Sequence, residues 1–348
     1  MAGCSGFPLS ERPLMSAATL PLSLLELASV PTGSDIRHTL LELRRYAQAA
    51  DQLGLTRLWL AEHHNMEGIA SSATSVLIAD LAAHTERLRI GSGGIMLPNH
   101  PPLVVAEQFG TLAALHPGRI DLGLGRAPGT DPVTSRALHR DERRAERFPQ
   151  EVAELQRLLG NGDEPGVRAY PGRNSDIPIW ILGSSLFSAQ LAAQRGLPYA
   201  FAGHFAPALA AEALALYRRQ FQPSAALAEP YAILCLPLIL ADTDDEARYL
   251  GTSSQQRILS LLYGKPLYIP PPVDDMDKIW DAPSRMQVQN FLALSVVGSP
   301  QTVAFKLQQL RQRYVCDELM FTNDIYDREK RLRALELLPQ VQALMANE

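Results

Sequence analysis

The chain has 348 residues, of which 46% are hydrophobic and 20% charged, with a formal net charge of −5. This is the composition of a globular protein with ample apolar material for a core. No basic stripe stands out, which excludes nucleic acid as an expected partner, and no run of about 18 uninterrupted apolar residues predicts a membrane span.

The apolar run over residues 13–25 has the look of a signal-peptide core, but Glu11 and Arg12 deny it a basic lead. Residues 1–18 are therefore expected to be a loose leader, and 19–348 a single domain. The first strand is predicted over 21–27. A helix follows over 34–53, with Ser34 able to cap it and Gly54 placed to end it. Strand two is expected at 57–61, a helix at 72–83, and strand three at 88–90, running towards Met96. A helix at 102–115 ends before the turn signal Pro117-Gly118, and strand four covers 119–123. A polar helical stretch extends from the 130s to Gly160. Strand five is expected at 177–182, then a helix at 184–195 ending at Gly196. Strand six covers 198–202, with a helix from about Pro207. Strand seven covers 231–241, followed by a long helix with the capping box Thr243…Glu246. A helix opened by Ser299-Pro300, a strand at 318–321 and a C-terminal helix close the chain.

Strand–helix–strand repeats imply parallel pairing, and eight of them suggest a closed α/β barrel, the (β/α)₈ fold. Residues 251–290, with Pro270-Pro271-Pro272, exceed what one crossover needs and read as an insertion after strand seven. In a barrel that insertion lies over the strand C-termini, where active sites sit. Cys4, Cys235 and Cys316 are odd in number and lack C-x-x-C spacing. They read as free thiols of a reducing, cytoplasmic setting.

Four segments just past strands carry the candidate chemistry. At Gly183-Ser184-Ser185 a strand ends in glycine and two serines open a helix; free N–H groups and hydroxyls there make an anion site, and Arg126 can supply a bidentate countercharge. The alternative is a plain cap by Ser184 and a surface arginine. Gly93-Gly94 inside a strand marks either a close ligand approach or a bend at a barrel corner. His63-His64 has no metal-ligand spacing, so no metal is expected; His63 reads instead as a proton donor or a ligand-binding imidazole. Gly123-x-Gly125 lacks the rest of a dinucleotide fingerprint. His100 and His204 are further imidazoles at the barrel mouth.

Together, Glu62-His63-His64-Asn65, the run from Gly94 to His100, the run from Pro117 to Arg126, and Trp180 to Ser185 resemble the luciferase-like monooxygenase family. The resemblance implies a (β/α)₈ barrel that binds FMN, with Arg126, Ser184, Ser185 and Ser188 at the flavin phosphate. It also implies a non-proline cis peptide or bulge at Gly93-Gly94 under the flavin ring, with His63 beside the flavin. Luciferase carries an acidic residue where this chain has Ser184, and its reactive cysteine has no counterpart here, so light emission is not implied. The implied reaction uses reduced FMN from a separate NAD(P)H:flavin reductase, and O2, to oxygenate a small organic substrate. The alternatives are hydride transfer with deazaflavin F420 and a non-catalytic flavin-binding barrel. The resemblance also implies a homodimer, for which the apolar helices at 72–83 and 102–115 are candidates.

Overall fold

In the computed structural model, residues 20–138, 142–162 and 166–346 are described. The expected leader, with Cys4, lies outside the described residues. Nine strands are present: β1 (Leu22–Glu26), β2 (Arg57–Leu60), β3 (Arg89–Met96), β4 (Ile120–Gly125), β5 (Ile179–Gly183), β6 (Tyr199–Ala202), β7 (Ala232–Leu240), β8 (Val296–Gly298) and β9 (Glu318–Thr322). Strands β1 to β7 and β9 pair in parallel in chain order, and β9–β1 and β6–β7 contacts close the ring. The protein is thus an α/β chain built as a closed (β/α)₈ barrel.

The ninth strand is a difference from the sequence reading. β8 lies outside the barrel and pairs with the far half of β7, Leu238↔Val296 to Leu240↔Gly298. The change of partner falls at Pro237, the last residue of β7 paired with β9. A proline has no N–H for a ladder, so it sits naturally where one pairing ends and the next begins. Three residues, Val-Val-Gly, are too short to announce a strand by pattern.

The helices follow the expected order, with local changes at their starts. Asp35, not Ser34, caps the first helix (Ile36–Gln52); its carboxylate accepts from the His38 N–H at 2.7 Å. Gly54 and Gly196 take positive φ at +74° and +61°, a conformation that side chains resist and that ends their helices. Thr243 caps the helix Asp244–Leu262 by accepting from the Glu246 N–H.

The core has two shells. Outward-facing strand residues such as Leu58, Leu60, Ile90 and Leu122 pack under the helices. Inward-facing residues fill the barrel: Leu25, Trp59, Trp180, Ile233, Cys235 and Met320 form one buried layer. Beneath it, at the N-terminal end of the strands, lies a buried ionic plug. Arg57 donates to Asp121 at 2.7 Å and to Glu318 at 2.9 Å and 3.2 Å, and its guanidinium sits 4.7 Å from the Trp180 ring centroid. Tyr231 and Ser23 also donate to Glu318, and Trp59 Nε1–H to Asp121. Burial opposes the charge on Arg57, but the two carboxylates outweigh it and raise its pKa. The barrel is therefore filled at this end, and the large cavity lies on the other side of the layer of Trp59 and Trp180. Cys235 and Cys316 are both buried free thiols, and burial pushes both pKa values up. Among the described residues no helix is long and apolar enough to cross a membrane.

Candidate active site

A cavity of about 560 Å³ opens at the C-terminal ends of the strands. That volume is in the range of small-molecule sites. Its floor is Leu25, Leu27, Ala61, Gly93, Gly94 and Leu182. The Gly93–Gly94 peptide is cis, and the β3–β4 register shifts between Ser92 and Ile95. Packing explains both glycines. A Cβ on Gly93 would lie 2.5 Å from Leu25 Cδ1 and 2.9 Å from Trp59 Cβ; one on Gly94 would lie 2.7 Å from the Gly123 carbonyl oxygen. The floor is thus bare backbone over filled barrel.

At the β4–β5 side stand Arg126, Gly183, Ser184, Ser185, Phe187 and Ser188, all lining the cavity. Ser185 is the N-cap residue of the helix Leu186–Arg195, but its side chain makes no capping bond. Orphan N–H groups at a helix start, with the helix dipole behind them, attract anions. Arg126 has no carboxylate partner among the described residues; its guanidinium stacks 4.0 Å from the Phe187 ring centroid. Ser188 is differently committed. Its hydroxyl donates to the Ser185 carbonyl at 2.8 Å and lies 3.2 Å from Tyr199 Oη, so it braces the helix start.

His63, His204, Arg257 and Asp324 also line the cavity. Among the described residues, neither imidazole has a partner for its buried Nδ1. Burial, reinforced at His63 by the charge of Arg257, lowers the pKa of each to about 4. Both are neutral at pH 7. The helix Asp244–Leu262 and the segment beyond it form the roof, through Ile258, Leu261, Leu267, Phe291 and Leu292. This segment is pinned across the mouth by backbone bonds, Leu267 N–H to the Glu67 carbonyl at 2.7 Å and Ile269 N–H to the Val30 carbonyl at 3.0 Å.

His100 does not line the cavity. It belongs to a cluster centred on Glu62, whose Oε1 accepts from His64 Nε2 and His100 Nε2 at 2.9 Å each and from Asn99 Nδ2 at 3.3 Å. Oε2 accepts from the Met96 N–H at 3.1 Å. A carboxylate only accepts, so both imidazoles carry their proton on Nε2. Burial would raise the Glu62 pKa, but the bonds from His100 and His64 outweigh it and hold the value at about 2. The ligand-type atoms of Glu62, His64 and His100 lie within 4.8 Å of one another, and the hydrogen bonds already engage each of them. Asn99 also donates to the Pro128 carbonyl at 2.9 Å. Glu62 thereby ties the loop carrying His63 to the β3 end and to the loop carrying Arg126.

Three of these groups escape sequence reasoning. Arg257 sits mid-helix and reads as a surface arginine. Phe187 reads as an ordinary helical apolar residue. Asp324 did leave a signal, because it stands just past the last barrel strand, where catalytic and binding residues gather.

Comparison with known proteins bears on the family and the fold. The luciferase-like monooxygenase family model matches residues 24–316. A luciferase-like monooxygenase of Escherichia coli (strain K12) is 50% identical over 329 residues, 94% of this chain and 98% of that protein. The crystal structure of apo-MsnO8 superposes with a TM-score of 0.83 at 32% identity, covering 93% of this chain and 99% of that one. Two more distant structures share the fold: the oxygenating constituent of 3,6-diketocamphane monooxygenase from Pseudomonas putida, in complex with FMN (TM-score 0.71, 19% identity, 92% of this chain and 97% of that one), and an F420-dependent secondary alcohol dehydrogenase (TM-score 0.68, 13% identity, 93% and 99%). With a matching family model over most of its length and a half-identical relative along nearly all of it, the chain belongs to the luciferase-like monooxygenase family.

Proposed function

We propose that the protein is a flavin-dependent monooxygenase that uses reduced FMN and dioxygen to oxygenate a small organic substrate, with the flavin supplied by a separate NAD(P)H:flavin reductase. The observation that carries this reading is the pairing of Arg126, which has no carboxylate partner among the described residues, with a helix start that lacks a side-chain cap, at one end of a cavity floored by backbone. These residues fit FMN: Arg126, the hydroxyls of Ser184 and Ser185 and the first N–H groups of the helix Leu186–Arg195 would hold the phosphate. The bare Gly93–Gly94 floor leaves room for a flat ring. Bound reduced flavin supplies the electrons that activate dioxygen. The roof over residues 263–292 acts as a lid that keeps water out. His63 stays neutral at pH 7, so it serves as an uncharged hydrogen-bonding group in the cavity rather than as a store for a proton. The protein works as a homodimer, through the helices Thr74–Ala83 and Pro102–Leu115, which leave Val76 and Leu115 exposed.

The test is anaerobic titration with FMN in both redox states and with F420, followed by ¹⁸O2 and mass spectrometry of an incubated panel of small organic acids, thioethers and ketones. Binding of reduced FMN and one labelled oxygen in a product are expected. Binding of F420 alone would move the protein to hydride transfer. Flavin binding without turnover of any substrate would make it a carrier.

A further inference from the structure

The pole of the cavity opposite the Arg126 end is unlike the rest of it. Asp324 follows β9, which stands across the ring from β4 and β5. Arg257 Nη1 donates to Asp324 Oδ1 at 2.7 Å and its Nε to the Leu267 carbonyl at 3.1 Å. The two side chains are only 8% and 16% exposed. Among the described residues Nη2 of Arg257 has no hydrogen-bond partner and is not among the buried unsatisfied atoms, so this edge of the guanidinium is open to the cavity that Arg257 lines. The partnerless Nδ1 atoms of His63 and His204 lie in the same neighbourhood; Arg257 acts on His63, and Asp324 and His63 act on His204. Directly beside this polar patch the wall is apolar, with Ile258, Leu261 and Phe291.

We infer that this pole is the substrate-recognition subsite and that it takes a carboxylate: the substrate is a small organic acid whose carboxylate accepts from Arg257 Nη2 and whose apolar body lies along Ile258, Leu261 and Phe291. The inference rests on reading the Arg126 end as the phosphate end of the flavin. A carboxylate has several lone pairs to place, and the pole offers an open guanidinium edge and, on His204, an imidazole whose Nδ1 has no partner among the described residues. An ammonium group would face Arg257 and find Asp324 already engaged. A dianionic phosphate would find one open cationic edge and two neutral rings, less than it needs. Arg257 is a binding residue in this scheme, and Asp324 is a positioning residue that fixes the plane of the guanidinium.

The test is calorimetric titration of the full chain, without flavin and with FMN, using phenylacetate, phenylacetamide and benzylammonium as probes. Phenylacetate is expected to bind at least about ten-fold more tightly than the amide, as loss of a charge-assisted hydrogen bond implies. Arg257→Gln should erase that preference and Arg257→Lys should restore part of it, while affinity for reduced FMN stays within about two-fold. The comparison of acid and amide on the wild-type protein stands even if the variants fold poorly. Equal binding of acid and amide, preference for the ammonium probe, or no binding of any probe would overturn the carboxylate subsite. A parallel loss of acid and reduced-FMN affinity in Arg257→Gln would overturn it too, by giving Arg257 to the flavin. Failure of FMN to bind, with the acid preference intact, would instead sink the flavin reading alone.

Discussion

Replacing Glu62 by glutamine exchanges one oxygen for an NH₂ in the most heavily hydrogen-bonded side chain of the site, and it should loosen three strand-end loops together. The carboxylate takes His64, His100 and Asn99 on one oxygen and the Met96 N–H on the other. Glutamine keeps a single acceptor. If it stays with the imidazoles, its NH₂ confronts the Met96 N–H, so a bond to a charged acceptor is lost, at about 1.5–3 kcal/mol, and donors are left facing each other, at about 1–3 kcal/mol. A cost of about 2.5–6 kcal/mol follows. The pKa gives an independent figure. Depression from 4.5 to about 2 in a side chain 1% exposed corresponds to about 3 kcal/mol. Because the folded value is the lower one, this stability is present above the unfolded pKa near 4.5 and is lost as pH falls through about 2. Urea unfolding of both proteins should therefore show the full gap at pH 7 and a narrowing gap below about pH 4.5. A loss under about 1 kcal/mol at pH 7, or a gap that ignores pH, would refute the account of Glu62 as the clamp.

Arg126→Gln should weaken FMN binding about 10- to 100-fold and leave riboflavin, which has no phosphate, nearly unchanged; flavin fluorescence titration reads both, and equal losses would remove Arg126 from the phosphate. Gly94→Ala places a methyl group 2.6 Å from Leu182 Cδ1 and 2.7 Å from the Gly123 oxygen. Backbone cannot give as a side chain can, so a loss of about 1–3 kcal/mol is expected in thermal unfolding, with weaker flavin binding. Arg57→Met strips the countercharge from Asp121 and Glu318 deep in the barrel. A destabilisation of about 3–5 kcal/mol is expected in urea, and a neutral result would mean that the two carboxylates are protonated in the folded protein.

The barrel was legible because its strands are short apolar runs set between amphipathic helices, and because glycines at positions 54 and 196 mark where helices stop. All eight barrel strands fall where the pattern puts them. What escaped is what pattern does not encode. Ser34 and Asp35 are adjacent and both good caps, and only the geometry of the turn chooses Asp35. β8 is three residues long and exists because β7 outlasts its barrel partner. In the site, the residues next to strand ends were readable one by one, but not their division of labour. His63 and His204 face the cavity while His64 and His100 turn to Glu62. His63 and His64 lie past the end of β2, where the alternation of a strand no longer sets direction, so the sequence does not say which of them faces inward. Arg257 lay beyond reach, since a helix on the roof carries nothing in its sequence that says which of its faces looks down.

The ionic plug of Arg57, Asp121 and Glu318, with the tryptophans above it, makes the cavity a cul-de-sac. Traffic to the cavity therefore runs through the C-terminal face of the barrel, past the segment that Leu267 and Ile269 pin over it. The filled end, far from the cavity lining, decides which face of the barrel can open at all.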